Sequence, residues 1–410
     1  MKKVVFALIA VGIGVLVGAL LVEVLAIAAF SLRDGEFVPA RERLRRVANT
    51  FVEGVSRDQR GCQYIDSLFP HPYLAFVHNG TEPCGRPNTN NIGLHGEDFP
   101  AERRRDRFVV LLTGGSVAAQ FAQIDVGGPK YLEAILNASF VSPTGQPFVV
   151  LNGADGAWKQ PQQAILFLLY SSVVDAVVTL DGFNEALIIA SGGTVGLEHP
   201  SNNFLGVVNP LSGEPYGVVV SRLLLGRLVG SLTTSPVLSH SHAVFGAVSV
   251  LRRLVNREWS AGPRRPTIEG LFALPSEWDG EKRIQVRLER YQRYIRDMNA
   301  VANRHRVLIA HFIQPVPAIE KPLTPEERAV VGDLSYRGVY ERMTDALLRL
   351  RGEGVQIFSL LSIFRNVTDT IYADHIHCER DARGESRGYR LMAEEVARTL
   401  GETWKLAPKR

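Results

Sequence analysis

The sequence predicts an α/β protein: a three-layer α/β/α domain with a parallel central sheet, preceded by a single N-terminal transmembrane helix. Two observations support this prediction. From Arg107 onward, short apolar runs alternate with helix-like segments, which is the pattern of parallel strands that are buried on both faces of a sheet. At the N-terminus, a long stretch without charge precedes the rest of the chain. The length of 410 residues suffices for one large domain or two ordinary ones.

The composition excludes several classes of protein. Hydrophobic residues make up 46% and charged residues 21% of the chain, close to an average globular protein and unlike a disordered one. The net charge of +4 is small for this length and no long basic stripe is present, so we expect no nucleic-acid partner. The three cysteines, Cys62, Cys84 and Cys378, are too few for a disulfide scaffold, and because they form no CxxC pair we expect no structural zinc site.

Residues 1–32 are predicted to be a membrane anchor or a signal segment. Lys2 and Lys3 precede residues 4–22, a run of 19 residues without charge that is long enough to cross the hydrocarbon core as a helix. A cleaved signal peptide is the alternative, with the small residues at 26–29 as its cleavage site. Because the apolar core of a signal peptide spans only about 7–15 residues, we favour an uncleaved anchor that contacts the membrane through residues 4–22.

The charges beside this span decide its orientation only in part. Lys2 and Lys3 favour a cytoplasmic N-terminus, whereas several arginines lie just beyond the span and are partly offset by acidic residues. A single N-terminal anchor on a globular domain usually serves export. We therefore expect residues 33–410 to be extracytoplasmic, in the periplasm or on the cell surface.

Residues 33–100 are predicted to form a short juxtamembrane helix followed by an irregular segment. Arginine-rich, amphipathic spacing up to about residue 60 suggests the helix, and the segment after it is rich in Pro, Gly, Asn and His. Cys62 and Cys84 both lie in the irregular segment. In an oxidising compartment a disulfide between them would be worth about 3 kcal/mol, and two unpaired thiols are the alternative.

Five apolar runs between residues 101 and 405 are the predicted strands of the sheet. They cover residues 108–113, 148–151, 173–180, 306–312 and 355–359. Helices are predicted between them over residues 161–172, 284–305 and 339–352, with Pro161 at the first helical position. Ligands of parallel sheets bind at the carboxyl ends of the strands, so the glycines and polar residues that follow the strands are candidates for a site.

Residues 190–280 interrupt this alternation. They hold many Gly, Ser, Pro and Asn residues, together with apolar helical patches at residues 218–232 and 244–255. We interpret them as an insertion between the third and fourth strands that either covers the site or lies against the membrane.

Ser116 is the first candidate for chemistry. It follows the first strand and two glycines, Gly114 and Gly115, and it opens a helix, where backbone N–H groups favour developing negative charge. An ordinary helix-capping serine is the common structural explanation. A phosphate-binding turn is a further alternative, but the segment lacks the Lys-Ser/Thr ending of a P-loop.

Asp374 and His377 are the second candidate. A spacing of three places both side chains on one face of a helical turn, where the carboxylate can accept the imidazole Nδ1–H and leave Nε2 as a base. A polar surface loop is the structural alternative. A metal site formed by Asp374, His375, His377 and Cys378 is disfavoured, because neighbours this close seldom converge on one ion, and we expect no bound metal.

Asn184 and Gly156 are the third candidate. Asn184 follows the third strand and offers an amide donor, and Gly156 follows the second strand and offers a backbone N–H. With the N–H of Ser116 they would form an oxyanion hole of three donors. Taken singly each is weak evidence, since glycine and asparagine are common in loops.

The order of these blocks resembles that of the SGNH (GDSL-like) hydrolase family, over residues 107–400 apart from the insertion. The family's Gly-Asp-Ser-Leu block corresponds to residues 114–117 here, with Gly115 in place of the aspartate, a form similar to that of membrane-anchored members. In residues 152–156, Gly156 matches the family's oxyanion glycine, and Gly153 is the nearby rival.

The remaining blocks extend the resemblance. The family's Gly-x-Asn-Asp corresponds to residues 182–185, in which Glu185 replaces the aspartate, and its Asp-x-x-His corresponds to residues 374–377. In this frame His377 matches the catalytic histidine and His375 does not. An Asn-x-x-Gly-like segment at residues 90–96, and the Gln-Pro pair at residues 314–315, are similar to features of bacterial members with an N-terminal membrane helix.

The resemblance implies an SGNH, flavodoxin-like fold and a membrane-tethered serine esterase or acyl hydrolase without a cofactor. Ser116 is implied as the nucleophile and His377 as its base, held by Asp374. Ser116, Gly156 and Asn184 are implied as the oxyanion hole. The implied substrate is a small ester or an acylated glycan or lipid. O-acyl transfer by the same residues and a non-catalytic scaffolding role in the cell envelope are the alternatives.

Overall fold

The computed structural model describes residues 2–44, 68–78, 80, 85, 88–122, 130–199, 216–261 and 272–409. The chain divides into two compact units. One comprises Met1–Asp58 with Pro210–Thr267, and the other comprises Gln59–Asn209 with Ile268–Arg410. The disulfide predicted between Cys62 and Cys84 lies outside the described residues, as does the part of the predicted juxtamembrane helix beyond residue 44.

The elements are labelled in chain order. The strands are β1 (Leu68–His71), β2 (Ala75–His78), β3 (Phe108–Gly114), β4 (Phe140–Val141), β5 (Phe148–Ala154), β6 (Ala176–Asp181), β7 (Leu308–Ile313), β8 (Ile357–Ser359) and β9 (Ala407–Pro408). The helices are α1 (Lys2–Asp34), α2 (Ser116–Phe121), α3 (Tyr131–Ser139), α4 (Gln162–Tyr170), α5 (Phe183–Ala190), α6 (Tyr216–Thr234), α7 (His242–Ala261), α8 (Gly280–His305), α9 (Pro325–Val330), α10 (Arg337–Leu348) and α11 (Arg387–Thr403).

The first unit is helical. Within α1, the 26 residues Ile9–Asp34 have a mean hydropathy of 2.6, so this part is long and apolar enough, by length and composition, to cross a membrane. The two apolar patches predicted in the insertion form α6 and α7. A small core joins these helices to the chain that follows α1, through Leu44, Leu225, Val229, Phe245 and Val248, with Phe30 packed against it.

A five-stranded sheet in the order β5-β3-β6-β7-β8 forms the centre of the second unit. All four pairings in it are parallel. The five strands are those that the apolar runs predict, shifted at their ends by up to three residues. The prediction of a parallel α/β sheet is confirmed.

Both faces of this sheet are covered. Each of the seven residues of β3 is buried, and successive residues of a strand point to opposite faces. On one face, Val110 and Leu112 join the main hydrophobic core. On the other, a Cβ placed on Gly153 of β5 would contact Leu111 of β3 and Leu166 of α4, so this glycine allows α4 to pack closely against the strands. Helices therefore flank the sheet on both sides, as the three-layer prediction requires.

Helix ends differ from prediction for local reasons. Pro161 is the N-cap of α4 rather than its first helical residue. Helix α8 begins at Gly280, four residues before the predicted start, because the Asp279 side chain accepts a hydrogen bond from the backbone N–H of Lys282 at 2.7 Å and so caps the helix. Residues 349–352, predicted as the end of a helix, belong to a 3₁₀ turn, Arg349–Glu353, that follows α10.

The segment predicted to be irregular contains order that its composition did not indicate. Strands β1 and β2 form an antiparallel hairpin. Beyond it, Asn90 Oδ1 accepts hydrogen bonds from the backbone N–H groups of Ile92 and Leu94, at 3.1 and 2.9 Å. Gly93 has a φ of +77°, and a side chain there would collide with Val77 of β2. The Asn-x-x-Gly segment is thus a tight turn against the hairpin.

Candidate active site

Ser116 lies where β3 ends and α2 begins, at the carboxyl end of the central sheet. Two glycines bring it there. A Cβ on Gly114 would lie 2.5 Å from Ala118 Cβ and would also collide with the carbonyl oxygen of Leu180 in β6. A Cβ on Gly115 would collide with Asn184 Nδ2 and lie 3.0 Å from the carbonyl oxygen of Trp158. A side chain at this second position would therefore require the Asn184 amide to move.

Ser116, His377 and Asp374 form one continuous chain of hydrogen bonds. The Ser116 Oγ lies 2.8 Å from His377 Nε2, and His377 Nδ1 lies 2.8 Å from Asp374 Oδ2. Residues 261 positions apart in the sequence meet here. The hydroxyl can donate to Nε2 while Nδ1–H donates to the carboxylate, so the imidazole has the tautomer that a general base for Ser116 requires.

The loop before α11 fixes the Asp374 carboxylate. Its Oδ1 atom accepts hydrogen bonds from the backbone N–H groups of Ile376 and His377, both at 2.8 Å. Burial alone would raise the pKa of Asp374, but the hydrogen bonds from the His377 side chain and backbone outweigh it and lower that pKa. Asp374 is therefore ionised at neutral pH and can stabilise a positive charge on His377.

His375 takes no part in this chain of hydrogen bonds. Its Nδ1 atom lies 3.8 Å from Asp374 Oδ1, beyond hydrogen-bonding distance. Its side chain is 59% exposed, against 17% for His377. The ring packs instead near Phe183, with 5.7 Å between the ring centroids. The structure thus pairs Asp374 with His377 and leaves His375 at the surface.

Asn184 lies beside the Gly115–Ser116 turn, near the start of α5. Its Nδ2 atom donates a hydrogen bond to the carbonyl oxygen of Trp158 at 2.8 Å, and the same atom occupies the space that a Gly115 side chain would need. An amide nitrogen carries two hydrogens, so the second can serve another acceptor. The structure therefore places Asn184 against Gly115, the residue before Ser116.

The two candidate glycines after the second strand have different surroundings. Gly153 lies within β5 and faces the Leu111 and Leu166 side chains, so its position serves packing. Gly156 lies just beyond β5, and its N–H donates to Asp155 Oδ1 at 2.6 Å. Asp155 Oδ1 also lies 2.9 Å from His78 Nε2, which links this loop to the β1–β2 hairpin.

Glu185 connects the two segments that position Asn184, a role that the sequence did not indicate. It is fully buried. Its Oε2 atom accepts from the Gly182 N–H at 3.1 Å, and its Oε1 atom accepts from the Gln160 N–H at 2.9 Å. Gly182 begins the turn that carries Asn184, and Gln160 lies two residues from the Trp158 carbonyl. The Glu185 side chain thus joins both segments.

Burial sets the electrostatics of the layer beneath Asn184. Burial raises the pKa of the Glu185 and Asp181 carboxyl groups, and in Asp181 the neighbouring Glu185 raises it further. Burial lowers the pKa of Lys159 to about 8. Tyr291 donates to Asp181 Oδ1 at 2.8 Å. These groups hydrogen-bond to one another and to the backbone of the neighbouring loops, and we assign them to holding the loops in place.

The four side chains of the disfavoured metal site do not share one point. Both ring nitrogens of His377 are engaged, one by Asp374 and one by Ser116. The Cys378 side chain is buried, and its Sγ atom lies 2.5 Å from where a Cβ on Gly388 would be. Cys378 therefore packs against the start of α11, away from the His377 ring nitrogens.

We expect Cys378→Ala to leave the reactivity of Ser116 close to that of the wild type. Burial raises the pKa of the Cys378 thiol, so no thiolate nucleophile forms at neutral pH. Steady-state kinetics on the variant, and alkylation of the native protein by iodoacetamide, test this. Loss of turnover in a variant that retains the wild-type melting temperature would show that the thiol takes part in the chemistry.

The comparisons with known proteins give structural matches only. No protein-family model matches this chain, and no curated protein matches it. Among solved structures it is similar to a putative acylhydrolase from Bacteroides fragilis, at 9% identity over 74% of this chain and 91% of that one, with a TM-score of 0.35. It is also similar to a GDSL-like lipase from Bacteroides thetaiotaomicron, at 8% identity over 73% and 89% of the two chains and a TM-score of 0.30.

A third similar structure is an acetyl xylan esterase, at 11% identity over 70% of this chain and 98% of that one, with a TM-score of 0.31. These identities and TM-scores are too low to support an activity. What the chain does has to be argued from its own strand ends and from the side chains that meet there.

Proposed function

We propose that this protein is a membrane-tethered serine esterase or acyl hydrolase of the SGNH type. One observation carries the proposal: the hydrogen-bonded chain from Asp374 through His377 to Ser116, at the carboxyl end of the central sheet. Each residue has the partner that nucleophilic acyl transfer needs, a base for the hydroxyl and a carboxylate for the base.

The reaction follows from this geometry. The Ser116 Oγ attacks the ester carbonyl carbon while His377 Nε2 accepts the hydroxyl proton, and the Asp374 carboxylate stabilises the imidazolium that forms. The bond to the leaving alcohol then breaks as the imidazolium gives that alcohol the proton. Water attacks the acyl-enzyme with His377 again as base, which releases the acid and restores the Ser116 hydroxyl.

The oxyanion of the tetrahedral intermediate needs hydrogen-bond donors next to the former carbonyl oxygen of the substrate. The second hydrogen of Asn184 Nδ2 and the backbone N–H of Ser116 are adjacent candidates, because Asn184 lies against the Gly115–Ser116 turn. Gly156 is the third, and its role requires its N–H to leave Asp155 Oδ1 when substrate binds. Loss of one such donor typically costs about 10²–10³ in kcat.

We expect Asn184→Ala to lower kcat by about 10²–10³ with little change in KM, because the amide matters most once the oxyanion has formed. Gly115→Ala should show the same pattern, since its methyl group would displace the Asn184 amide. The control is Gly338→Ala, at an exposed position of α10 where a Cβ meets nothing within 4 Å. Equal kcat values in Asn184→Ala and the wild type would remove Asn184 from the oxyanion hole.

The substrate class follows from the proposed location. A tether through α1 would hold the domain at the outer face of the membrane, where small esters and acylated glycans or lipids are available. Transfer of the acyl group to a sugar hydroxyl would use the same residues with a different acceptor. Comparing free acid with acylated sugar among the products separates the two outcomes.

A fluorophosphonate probe tests the proposal directly, because it reacts with an activated serine whatever the natural substrate is. We expect full-length protein in detergent to be labelled, with the adduct on Ser116 by peptide mass spectrometry. A folded protein without any adduct on Ser116 would favour the scaffolding alternative.

For the topology, we expect an alkaline phosphatase fused after residue 60 to be active in bacterial cells, because that enzyme folds only outside the cytoplasm. A cytoplasmic reporter fused at the same residue should be inactive. The reverse result would place the candidate active site in the cytoplasm.

A further inference from the structure

The insertion contains a second uncharged segment, which is folded into a hairpin. Residues 228–251 include no Asp, Glu, Lys or Arg, and Arg227 and Arg252 flank them. They comprise the end of α6, a turn and the first half of α7. We refer to residues 228–251 as the helical hairpin. An apolar helix of ten residues within it, His242–Leu251, is too short to span a bilayer and has the length of a re-entrant or interfacial segment.

The start of α7 binds to a carboxylate inside the apolar part of α1. Glu23 accepts hydrogen bonds from Ser241 Oγ at 2.6 Å, from the His242 N–H at 2.5 Å and from the Ala243 N–H at 3.1 Å. The first N–H groups of any helix lack partners within the helix. In hydrocarbon such groups, and a carboxylate such as Glu23, are costly unless they are satisfied by protein. Here the Glu23 carboxylate accepts hydrogen bonds from the first N–H groups of α7, so both are satisfied.

Contacts beyond Glu23 and His242 show how the helical hairpin lies on α1. Phe30 packs edge-on against Phe245, with 4.9 Å between the ring centroids, and it lies near Gly246. Residues 242–246 of α7 therefore follow residues 23–30 of α1 in the same direction. The turn of the hairpin lies on the side of Glu23 that faces the middle of α1.

That turn exposes apolar side chains. Val237 is 74% exposed and Leu238 is 44% exposed. The arms of the hairpin expose further apolar residues, namely Leu228, Val250 and Leu251. Apolar surface that is continuous with a candidate membrane span, and that ends in the exposed Val237 and Leu238, fits lipid acyl chains.

The lengths of these helical segments match the thickness of half a bilayer. Glu23 precedes Asp34 by 11 residues, about 16 Å along a helix, and the ten residues His242–Leu251 rise about 15 Å. Half of the hydrocarbon core is about 15 Å thick. The flanking Arg227 and Arg252 would then lie near the headgroups, as would Arg43, which pairs with Asp34.

From these observations we propose that the helical hairpin enters the membrane through the leaflet that holds the C-terminal half of α1 and brings its tip to the middle of the bilayer, where Glu23 caps α7. The protein would then hold the bilayer through a re-entrant element in addition to its anchor. This inference rests on the anchor in the proposed function and is independent of the esterase chemistry.

Labels at single cysteines test the depth of the tip. Full-length protein with its three native cysteines replaced by alanine is reconstituted into phosphatidylcholine–phosphatidylglycerol vesicles. An environment-sensitive fluorophore is attached in turn to Val237→Cys at the tip, Leu16→Cys within α1 and Arg41→Cys, an exposed residue of the same unit. We expect the first two labels to be quenched by lipids that carry a spin label on the acyl chain, and the third only by aqueous iodide.

The pattern of quenching separates the outcomes. A Leu16 label in lipid with a Val237 label reached by iodide would overturn the inference and leave the anchor intact. A Leu16 label reached by iodide would overturn both. A Val237 label shielded from iodide and from lipid would show that protein covers the tip, which also overturns the inference. Photo-activated diazirine lipids, with adducts mapped to residues 235–241 of the unmodified chain, give the same test without substitutions.

Discussion

Full-length Ser116→Ala is expected to lose hydrolysis of a short-chain p-nitrophenyl ester by about 10⁴–10⁶ in kcat. The substitution removes the atom that lies 2.8 Å from His377 Nε2 and leaves no other nucleophile in that place. The variant keeps the backbone N–H at this position, so binding and part of the oxyanion hole persist and KM should change little. Steady-state kinetics in detergent, together with the melting temperature of the variant, measure the effect.

The matched control is Ser359→Ala. Ser359 also ends a strand of the same sheet, β8, but its Oγ accepts from the backbone N–H of Leu361 and has no histidine partner among the described residues. We expect this variant to retain wild-type turnover. If Ser116→Ala kept wild-type activity in a folded protein, the hydrolase proposal would fail, and the scaffolding alternative would replace it.

The sheet could be predicted because its strands are buried on both faces. Such strands read as short apolar runs, and all five runs became strands. The β1–β2 hairpin could not be found in this way, because residues 68–78 show no clear alternation and contain two prolines. The early start of α8 has a physical signal that the apolar pattern misses, since its first turn is polar and depends on the Asp279 cap.

The residue types of the candidate site were predictable, but the buried contacts that hold them in place were less so. The candidate residues lie next to predicted strands and helices: Ser116 and Asn184 follow strands, and the pair Asp374 and His377 precedes the last helix. The fold brings them to one edge of the sheet. The buried layer beneath depends on pairs distant in sequence, such as Glu185 with the Gln160 backbone. No local pattern shows that contact, and none shows that Gly156 donates to Asp155.

His377→Ala is expected to lower kcat nearly as far as Ser116→Ala, because the hydroxyl loses the only base within hydrogen-bonding distance among the described residues. His375→Ala is the matched control, two positions away. Its ring is mostly exposed and lies beyond hydrogen-bonding distance of Asp374, so turnover should stay within a small factor of the wild type. The contrast between the two variants tests the register of the Asp-x-x-His block.

Asp374→Asn should fall between these extremes, with kcat lowered by about 10⁴. An asparagine keeps a partner for the backbone N–H groups of Ile376 and His377, but it lacks the charge that stabilises the imidazolium. It can also hydrogen-bond the wrong tautomer of His377, with the proton on Nε2, which cannot accept a proton from Ser116. Kinetics of the three variants at one pH, with melting temperatures, order them. If His375→Ala proved as damaging as His377→Ala, the histidine that serves Ser116 would have been misassigned.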